Sequence, residues 1–116
     1  YEAFKSLYQA EYGREPAIYC TNSYDALAVV ALAIEQAKNA TGRDIADNIR
    51  SVANPPGTEV SDLGEALSLI REGKDINYQG TSGDITFDEN GDVSGSFTLW
   101  TIADNGSIIQ SQKIVV

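Results

Sequence analysis

The sequence predicts an α+β fold in which helices come first and strands follow. Residues 19–38 are predicted to contain a helix, because nine apolar residues run without a break from Ala26 to Ile34. From Tyr78 onward the chain is rich in Gly, Thr, Ser and Asn with alternating apolar positions, which is typical of strands. Asn90-Gly91 and Asn105-Gly106 lie in this second part, and Asn-Gly is the strongest short signal for a hairpin.

The first predicted helix spans residues 2–12 and ends at Gly13, a natural C-cap. Its apolar residues recur at helical spacing: Phe4, Leu7, Tyr8 and Tyr12. Such an aromatic stripe is compatible with a cofactor cradle, but packing of one amphipathic face into the core is the commoner arrangement and is expected here. Residues 17–20 predict a short strand or extended approach to the next helix.

The helix that runs to Lys38 is the element around which the chain is organised. Its start is predicted at the favoured N-cap residues Thr21, Asn22 and Ser23. Asp25 then falls in the first turn, where its charge stabilises the helix dipole. No polar face appears before residue 35, and an all-round apolar helix is typically buried. The other elements are too few to cover it, so we expect further chain segments to complete the core.

A third helix is predicted from Thr41 to about Val52, with Asp44 completing part of a capping box. Residues 54–57, Asn-Pro-Pro-Gly, end it because proline cannot continue a helix.

A fourth helix is predicted over residues 62–72 with Ser61 as its cap. Its apolar residues, Leu63, Ala66, Leu67 and Ile70, form the face expected to be buried. Strands are predicted after it at residues 84–87, 93–102 and 108–116.

The composition describes an acidic domain of ordinary size, with 116 residues of which 42% are apolar. The net charge of −9 argues against binding to nucleic acid or anionic membranes, both of which attract positive charge. No apolar run is long enough to span a bilayer. The chain opens without Met or a signal peptide, so we expect a processed form or a fragment.

Catalytic signals are weak. Without any histidine there is neither a Ser–His nor a Cys–His pair, and the single cysteine, Cys20, lies in an apolar stretch typical of a small core residue. The carboxylates are scattered over predicted helix faces and turns. The sequence therefore predicts no enzyme and no cofactor.

Residues 88–92, Asp-Glu-Asn-Gly-Asp, begin like a calcium-binding loop. The sixth and twelfth positions are Val93 and Leu99, where that loop needs Gly and Glu. A hairpin turn is predicted instead, and no metal site. Asn39 and Asn105 each begin a glycosylation sequon, but this pattern is short and frequent by chance.

The candidate binding residues are Tyr19, Asn22, Ser23, Tyr24 and Asp25. Two interpretations stay open. One is a well-capped helix start whose two tyrosines anchor the preceding loop. The other is the mouth of a small-molecule site, where aromatic rings supply apolar contact, polar groups fix orientation, and the helix N-terminus offers N–H donors to an anion.

The segment Ser23-Tyr24-Asp25-Ala26, with the apolar helix after it, resembles the Y-D-A helix of type I periplasmic solute-binding proteins. These are the extracytoplasmic receptors of branched-chain amino acid ABC transporters and their relatives. In the same order, residues 4–13 resemble the family's F-x-x-x-Y-x-x-x-Y/F-G helix, and residues 41–52 its short helix before a proline-containing segment. Residues 78–83 and 87–93 resemble its Y-x-G-x-x-G and F-D-x-N-G-D segments. Each motif is weak alone, but five in order are fairly specific.

The resemblance implies that the chain is the C-terminal fragment of a two-lobed α/β fold, with helices followed by antiparallel hairpin strands. Residues 1–96 would form part of one lobe, and residues 97–116 would be strands that cross to the other. The absent part would supply most of the parallel sheet and most of the residues that grip the α-groups of an amino acid.

The resemblance also implies ligand-binding residues. In the family's branched-chain binders, an aromatic residue five positions before the Y-D-A tyrosine touches the ligand side chain. That position is Tyr19 here, and its hydroxyl departs from a purely apolar contact. Asn22 and Tyr24 are its implied neighbours, and Asp25 either meets an amino group or caps the helix.

The expected protein is therefore a non-catalytic receptor, periplasmic or extracellular and anchored through an absent N-terminus. It would close on an amino acid or related organic acid or amide and pass it to a membrane permease of an ABC transporter. The alternative is the ligand-sensing domain of a receptor or regulator with the same fold; an enzyme is disfavoured. We also expect the isolated chain to self-associate, because buried helix faces lack partners.

Overall fold

The computed structural model describes residues 1–115 as four helices and four strands. In chain order they are α1 (Glu2–Tyr12), α2 (Cys20–Ala37), α3 (Gly42–Ala53), β1 (Thr58–Val60), α4 (Leu63–Arg71), β2 (Ile76–Tyr78), β3 (Ser96–Ile102) and β4 (Ile108–Val115). Strands β3 and β4 form an antiparallel hairpin, which confirms the predicted order of helices before hairpin strands.

Strands β1 and β2, which the sequence did not predict, pair in parallel on either side of helix α4. The register places Thr58 beside Ile76 and Val60 beside Tyr78. A parallel pair needs a crossover connection, and α4 provides it. Each strand has only three residues, too few to give a periodic signal in the sequence.

The hydrophobic core lies where α2 meets α3 and α4, both of which also contact β2. The largest fully buried side chains are Leu32 of α2, Val52 of α3, and Ile76 and Tyr78 of β2. All three residues of β2 are buried, and successive strand residues point to opposite faces, so β2 is covered on both faces.

Helix α2 is the predicted central helix, but it is not buried on every side. Its buried residues recur at three- and four-residue spacing and therefore form one face: Asp25, Ala28, Val29, Leu32 and Ala33. Leu27 is exposed on another face. Within residues 1–115 the elements that pack against α2 bury only this face, as the expectation of an incomplete core implies, and burial of its other faces by further chain segments stays a prediction.

The predicted start of α2 is also wrong. The helix begins at Cys20, so Thr21, Asn22 and Ser23 lie inside it and Asp25 is beyond the first turn. Its N-cap is Tyr19, in the left-handed region with φ 66°, and no side chain caps the first turn. The N–H of Ser23 already donates to the carbonyl of Tyr19 at 2.9 Å, so the helical ladder starts before the polar residues. Residues 17–20 form a turn and not a strand.

The other helix ends depend on local sequence. Thr41 caps α3 as predicted, its Oγ1 accepting from the N–H of Asp44 at 3.2 Å. Gly13 ends α1 with φ 65°, also as predicted. For α4 the cap is Asp62, which accepts from the N–H of Glu65 at 2.8 Å, and not Ser61. Asp and Ser are comparable N-caps, so sequence did not distinguish these neighbours.

Helix α1 has no buried residue, and Leu7 and Tyr12 are exposed. The prediction that its aromatic stripe packs into the core is therefore wrong. The stripe instead meets Tyr24 of α2, whose ring lies 5.3 Å from that of Phe4.

The predicted strand at residues 84–87 is absent, although the turn after it is present. The side chain of Asn54 accepts from the N–H of Phe87 at 2.9 Å and donates to its carbonyl at 2.7 Å. A side chain thus takes the place of a strand partner, and only an isolated bridge joins Phe87 to Val93. Asp88 closes the turn by accepting from the N–H groups of Asn90 and Asp92, and the latter bond lowers the pKa of Asp88 below its usual range.

The hairpin begins at Ser96, three residues later than predicted, and its second strand is confirmed through Val115. Residue 116, included in the predicted strand, lies outside the described residues. The division into lobes at residues 96 and 97 stays a prediction. No helix within residues 1–115 combines the length and apolar character needed to cross a bilayer.

Candidate functional site

A groove of about 690 Å³ lies between helix α1 and the N-terminal part of α2. Its aromatic and apolar wall comprises Phe4, Leu7, Tyr8, Tyr12, Ile18, Tyr19 and Tyr24. Its polar wall includes Ser23, Ser61, Asp62 and Thr81. A mostly apolar concavity of this size with a few polar groups is typical of a small-molecule site.

The position of the groove follows from the parallel pair of strands. Ser61 and Asp62 directly follow β1, and Thr81 lies three residues beyond the end of β2. The carboxyl ends of parallel strands share one edge of a sheet, which is where open α/β folds bind their ligands. The N-termini of α2 and α4 meet the same edge, so the groove combines strand ends with helix starts.

Tyr19 is highly exposed, with 74% of its surface accessible. The left-handed backbone at this residue joins the preceding turn to α2 and leaves the phenol beside the groove. Because no side chain caps the first turn of α2, this helix end relies on its surroundings for partners.

Tyr24 lines the groove one turn further along α2. Its ring packs against Phe4, and the aromatic contacts continue from Phe4 to Tyr8 at 5.8 Å and from Tyr8 to Tyr12 at 4.6 Å. This chain of rings attaches α1 to α2. Cys20 also faces Tyr8, with 4.0 Å between its Sγ and the phenol oxygen.

Asn22 is exposed but is not part of the groove lining. Asp25, in contrast, is buried on the core face of α2, with only 3% of its surface accessible. The structure thus brings Tyr19 and Tyr24 together in the groove and leaves Asn22 and Asp25 outside its lining.

Both carboxylate oxygens of Asp25 accept hydrogen bonds from the loop that follows β2. Its Oδ1 accepts from the N–H of Thr81 at 2.8 Å. Its Oδ2 accepts from the N–H of Ser82 at 2.6 Å and from the Ser82 hydroxyl at 2.5 Å. The Y-D-A and Y-x-G-x-x-G segments, more than fifty residues apart in sequence, therefore meet at this carboxylate.

Gly80 allows this contact. A Cβ at this position would lie 2.8 Å from Oδ2 of Asp25 and 2.8 Å from the carbonyl of Gly83, closer than such atoms approach in proteins. The loop backbone therefore packs directly over the carboxylate.

Tyr78 lies beneath this region with its hydroxyl buried and, within the described residues, without a hydrogen-bond partner. Burial raises the pKa of the Tyr78 phenol well above its usual range, and the nearby charge of Asp25 adds to the effect. Tyr24 and Asp62, which line the groove, contribute in the same direction. The phenol is therefore neutral at physiological pH.

Sequence reasoning missed Ser61, Asp62 and Thr81 as parts of the groove. Strands β1 and β2 have three residues each, Thr-Glu-Val and Ile-Asn-Tyr, which is too short for a strand pattern, so no signal in the sequence indicated that their carboxyl ends meet. Within residues 1–115, no three His, Cys, Asp or Glu side chains are grouped to hold a metal ion.

Residues 1–105 match the family model described as the receptor family ligand binding region. The chain belongs to this family. The membership confirms the resemblance to type I periplasmic solute-binding proteins on which the α/β fold expectation rested.

The fold is also similar to the crystal structure of the leucine-binding protein LivK from Thermotoga maritima, with a TM-score of 0.60 and 31% sequence identity. The match covers 97% of this chain and 25% of LivK, so the chain spans a quarter of that protein. A second relative, the chemotactic signal transduction system substrate-binding protein BasB from Halobacterium salinarum, is 35% identical over 69 residues. That alignment covers 58% of this chain and 17% of BasB. Both relatives are named as binding proteins.

Proposed function

We propose that this protein is the extracytoplasmic solute-binding component of an ABC transporter. It binds an amino acid or a similar small molecule, without catalysis, in a cleft between two lobes. The observation that carries this proposal is the aromatic groove at the carboxyl ends of β1 and β2, in a chain that belongs to a ligand-binding family. The name of LivK suggests leucine or a related amino acid as the first ligand to test.

In this proposal Tyr19 and Tyr24 form one wall of the cleft. The exposed ring of Tyr19 contacts the ligand side chain, while Tyr24 is held in place by Phe4. The amides in the first turn of α2, which no side chain caps, are suited to a carboxylate. Asn22 lies beside this wall and joins the site when the opposite lobe closes.

Closure works as a shift of population, because a ligand that touches both lobes favours the closed state by its differential affinity. The closed form is the one that a membrane permease recognises. A periplasmic or extracellular location and self-association of the isolated chain belong to the same proposal.

The test is the substitution Tyr19→Ala in the full-length protein, with binding of L-leucine, other aliphatic and aromatic amino acids and small amides measured by calorimetry. For the ligand that binds, we expect the Kd to rise about tenfold or more, since the aromatic contact is lost. The melting temperature should change little, because Tyr19 is exposed.

The matched control is Tyr1→Ala, which removes an exposed tyrosine outside the groove and should leave the Kd unchanged. Equal affinities of wild type and Tyr19→Ala would remove Tyr19 from the site. If wild type binds none of these compounds, amino acid binding itself is contradicted.

A second candidate function is ligand sensing, which the similarity to BasB favours because that protein is named as part of a chemotactic system. Deletion of the gene distinguishes the two. Loss of labelled-ligand uptake with intact chemotaxis supports transport, whereas loss of chemotaxis towards the ligand with intact uptake supports sensing.

A further inference from the structure

We propose that Asp25 is a positioning residue that acts on the ligand through the loop after β2. It fixes Thr81 in the wall of the groove and so sets the affinity, without itself touching the ligand. This inference rests on the proposed function of the groove as a ligand cleft.

The hydrogen bonds of Asp25 carry the proposal. Three donors from Thr81 and Ser82 occupy its two oxygens at 2.5 to 2.8 Å. Hydrogen bonds to a charged group are stronger than neutral ones, and in a buried site they are not exchanged readily for water. Asp25 is therefore a fixed anchor for a loop that has no regular secondary structure of its own.

The surroundings of the carboxylate exclude a direct ligand contact in this conformation. The side chain is 97% buried, since only 3% of its surface is accessible, and the backbone of Gly80 covers Oδ2. An ammonium group would have to displace the loop before reaching either oxygen. Thr81, by contrast, lines the groove and is directly bonded to Asp25 through its amide.

The position of Asp25 on α2 explains how the anchor is kept rigid. It belongs to the same face as Ala28 and Leu32, which pack in the hydrophobic core. Movement of the loop is thereby tied to a helix whose buried face packs in the core. Thr81 is therefore held in place in the groove wall before any ligand binds. A wall that is already ordered binds a ligand more tightly than one that the ligand must order on binding.

A double-mutant cycle in the full-length protein tests the proposal, with variants Asp25→Asn, Ser82→Ala and the double substitution. Asn offers an N–H₂ donor where the carboxylate accepted from backbone N–H, so the loop loses part of its anchor. Ser82→Ala removes only the hydroxyl donor and does not alter the groove lining. The readouts are the Kd for L-leucine, the amide exchange rates of residues 81 and 82, and the melting temperature.

We expect Asp25→Asn to weaken leucine binding about tenfold and Ser82→Ala about two- to threefold, with amide exchange at residues 81 and 82 faster in both. The double variant should bind about as well as Asp25→Asn alone, because both changes act through one loop. Ser82→Ala keeps the buried carboxylate and should remain folded. The amide exchange rates of residues 81 and 82 in this variant therefore test the contact between Asp25 and the loop even if Asp25→Asn unfolds.

Two results would overturn the proposal. One is unchanged amide exchange at residues 81 and 82 in a folded variant. The other is additive losses of affinity in the cycle, which would indicate that Asp25 contacts the ligand directly. If wild type binds no amino acid, the proposed function fails, and the exchange rates alone then decide whether Asp25 positions the loop.

Discussion

The body of the molecule, formed by α2, α3, α4, β1 and β2, differs sharply from the hairpin formed by β3 and β4. Every side chain of the hydrophobic core lies between residues 28 and 85. The hairpin is also rich in large apolar residues, yet every residue of its two strands is exposed, including Trp100 at 58%. Apolar composition alone therefore does not distinguish a buried element from an exposed one.

The hairpin shows why its residues cannot bury one another. Phe97 and Leu99 point to one face of β3, while Trp100 and Ile102 point to the other, because successive strand residues alternate. Ser111 is the extra residue of a bulge in β4, and its hydroxyl donates to the carbonyl of Leu99 at 3.3 Å. A two-stranded sheet with apolar residues on both faces covers neither, and such a hairpin is marginally stable by itself.

The largest expected effect is loss of stability when a leucine of the body is truncated. Leu32 is 0% exposed, so Leu32→Ala should lower the free energy of unfolding by about 2–5 kcal/mol, through lost burial and the cavity left behind. Urea unfolding followed by circular dichroism at 222 nm measures this.

The matched change in the hairpin is Leu99→Ala, where the side chain is 48% exposed. Its cost should stay below about 1 kcal/mol. Equal costs for the two substitutions would break the distinction between a packed body and an unpacked hairpin.

The same contrast separates what the sequence could predict from what it could not. The Thr41 cap, the Gly13 C-cap and the turn at Asn105-Gly106 were predicted, because each depends on residues within a few positions. The hairpin was predictable for the same reason, because it pairs two strands that are adjacent in the sequence. Burial was predicted correctly for α4, where Ala66 and Ile70 are buried. It was not predictable for α1, which has no buried residue, because burial depends on which distant elements meet.

The candidate site divides in the same way. Tyr19 and Tyr24 could be found from the local motif, and the structure places both in the groove. Thr81 could not, since it reaches the groove only through the pairing of β1 with β2 and through Asp25, more than fifty residues away. The predicted start of α2 was wrong because the helix begins after Tyr19, whose backbone is left-handed, and not at the side-chain cap that the residue types favoured.

A smaller effect is expected where the body lacks space for even a single methyl group. Gly80→Ala would place its Cβ 2.8 Å from Asp25 and from the backbone of Gly83, so the loop must shift at a cost of about 1–3 kcal/mol. Thermal unfolding measures the difference.

The counterpart beside the hairpin is Gly95, whose Cβ would meet only the ring of Phe97 at 3.5 Å, an ordinary contact. Gly95→Ala should change stability by no more than about 0.5 kcal/mol. A larger cost at Gly95 than at Gly80 would show that the hairpin is the more tightly packed region.

Little effect at neutral pH is expected for Tyr78→Phe, which removes a buried hydroxyl that has no partner within the described residues. The free energy of unfolding should stay within about 1 kcal/mol of wild type, because no protein hydrogen bond is lost. The difference should appear at alkaline pH. Burial raises the pKa of Tyr78, so the folded state keeps a proton that the unfolded state releases above about pH 10.

Unfolding is therefore favoured as the pH rises above about 10, and wild type should lose stability there more steeply than Tyr78→Phe. The body and the hairpin can be followed separately in this experiment. Circular dichroism at 222 nm reports the helices, while fluorescence reports Trp100, the single tryptophan, in a hairpin that contains no tyrosine. We expect the alkaline difference between the two proteins in the helical signal and not in the fluorescence. An identical alkaline loss in wild type and Tyr78→Phe would mean that the phenol ionises as freely in the folded body as in the unfolded chain.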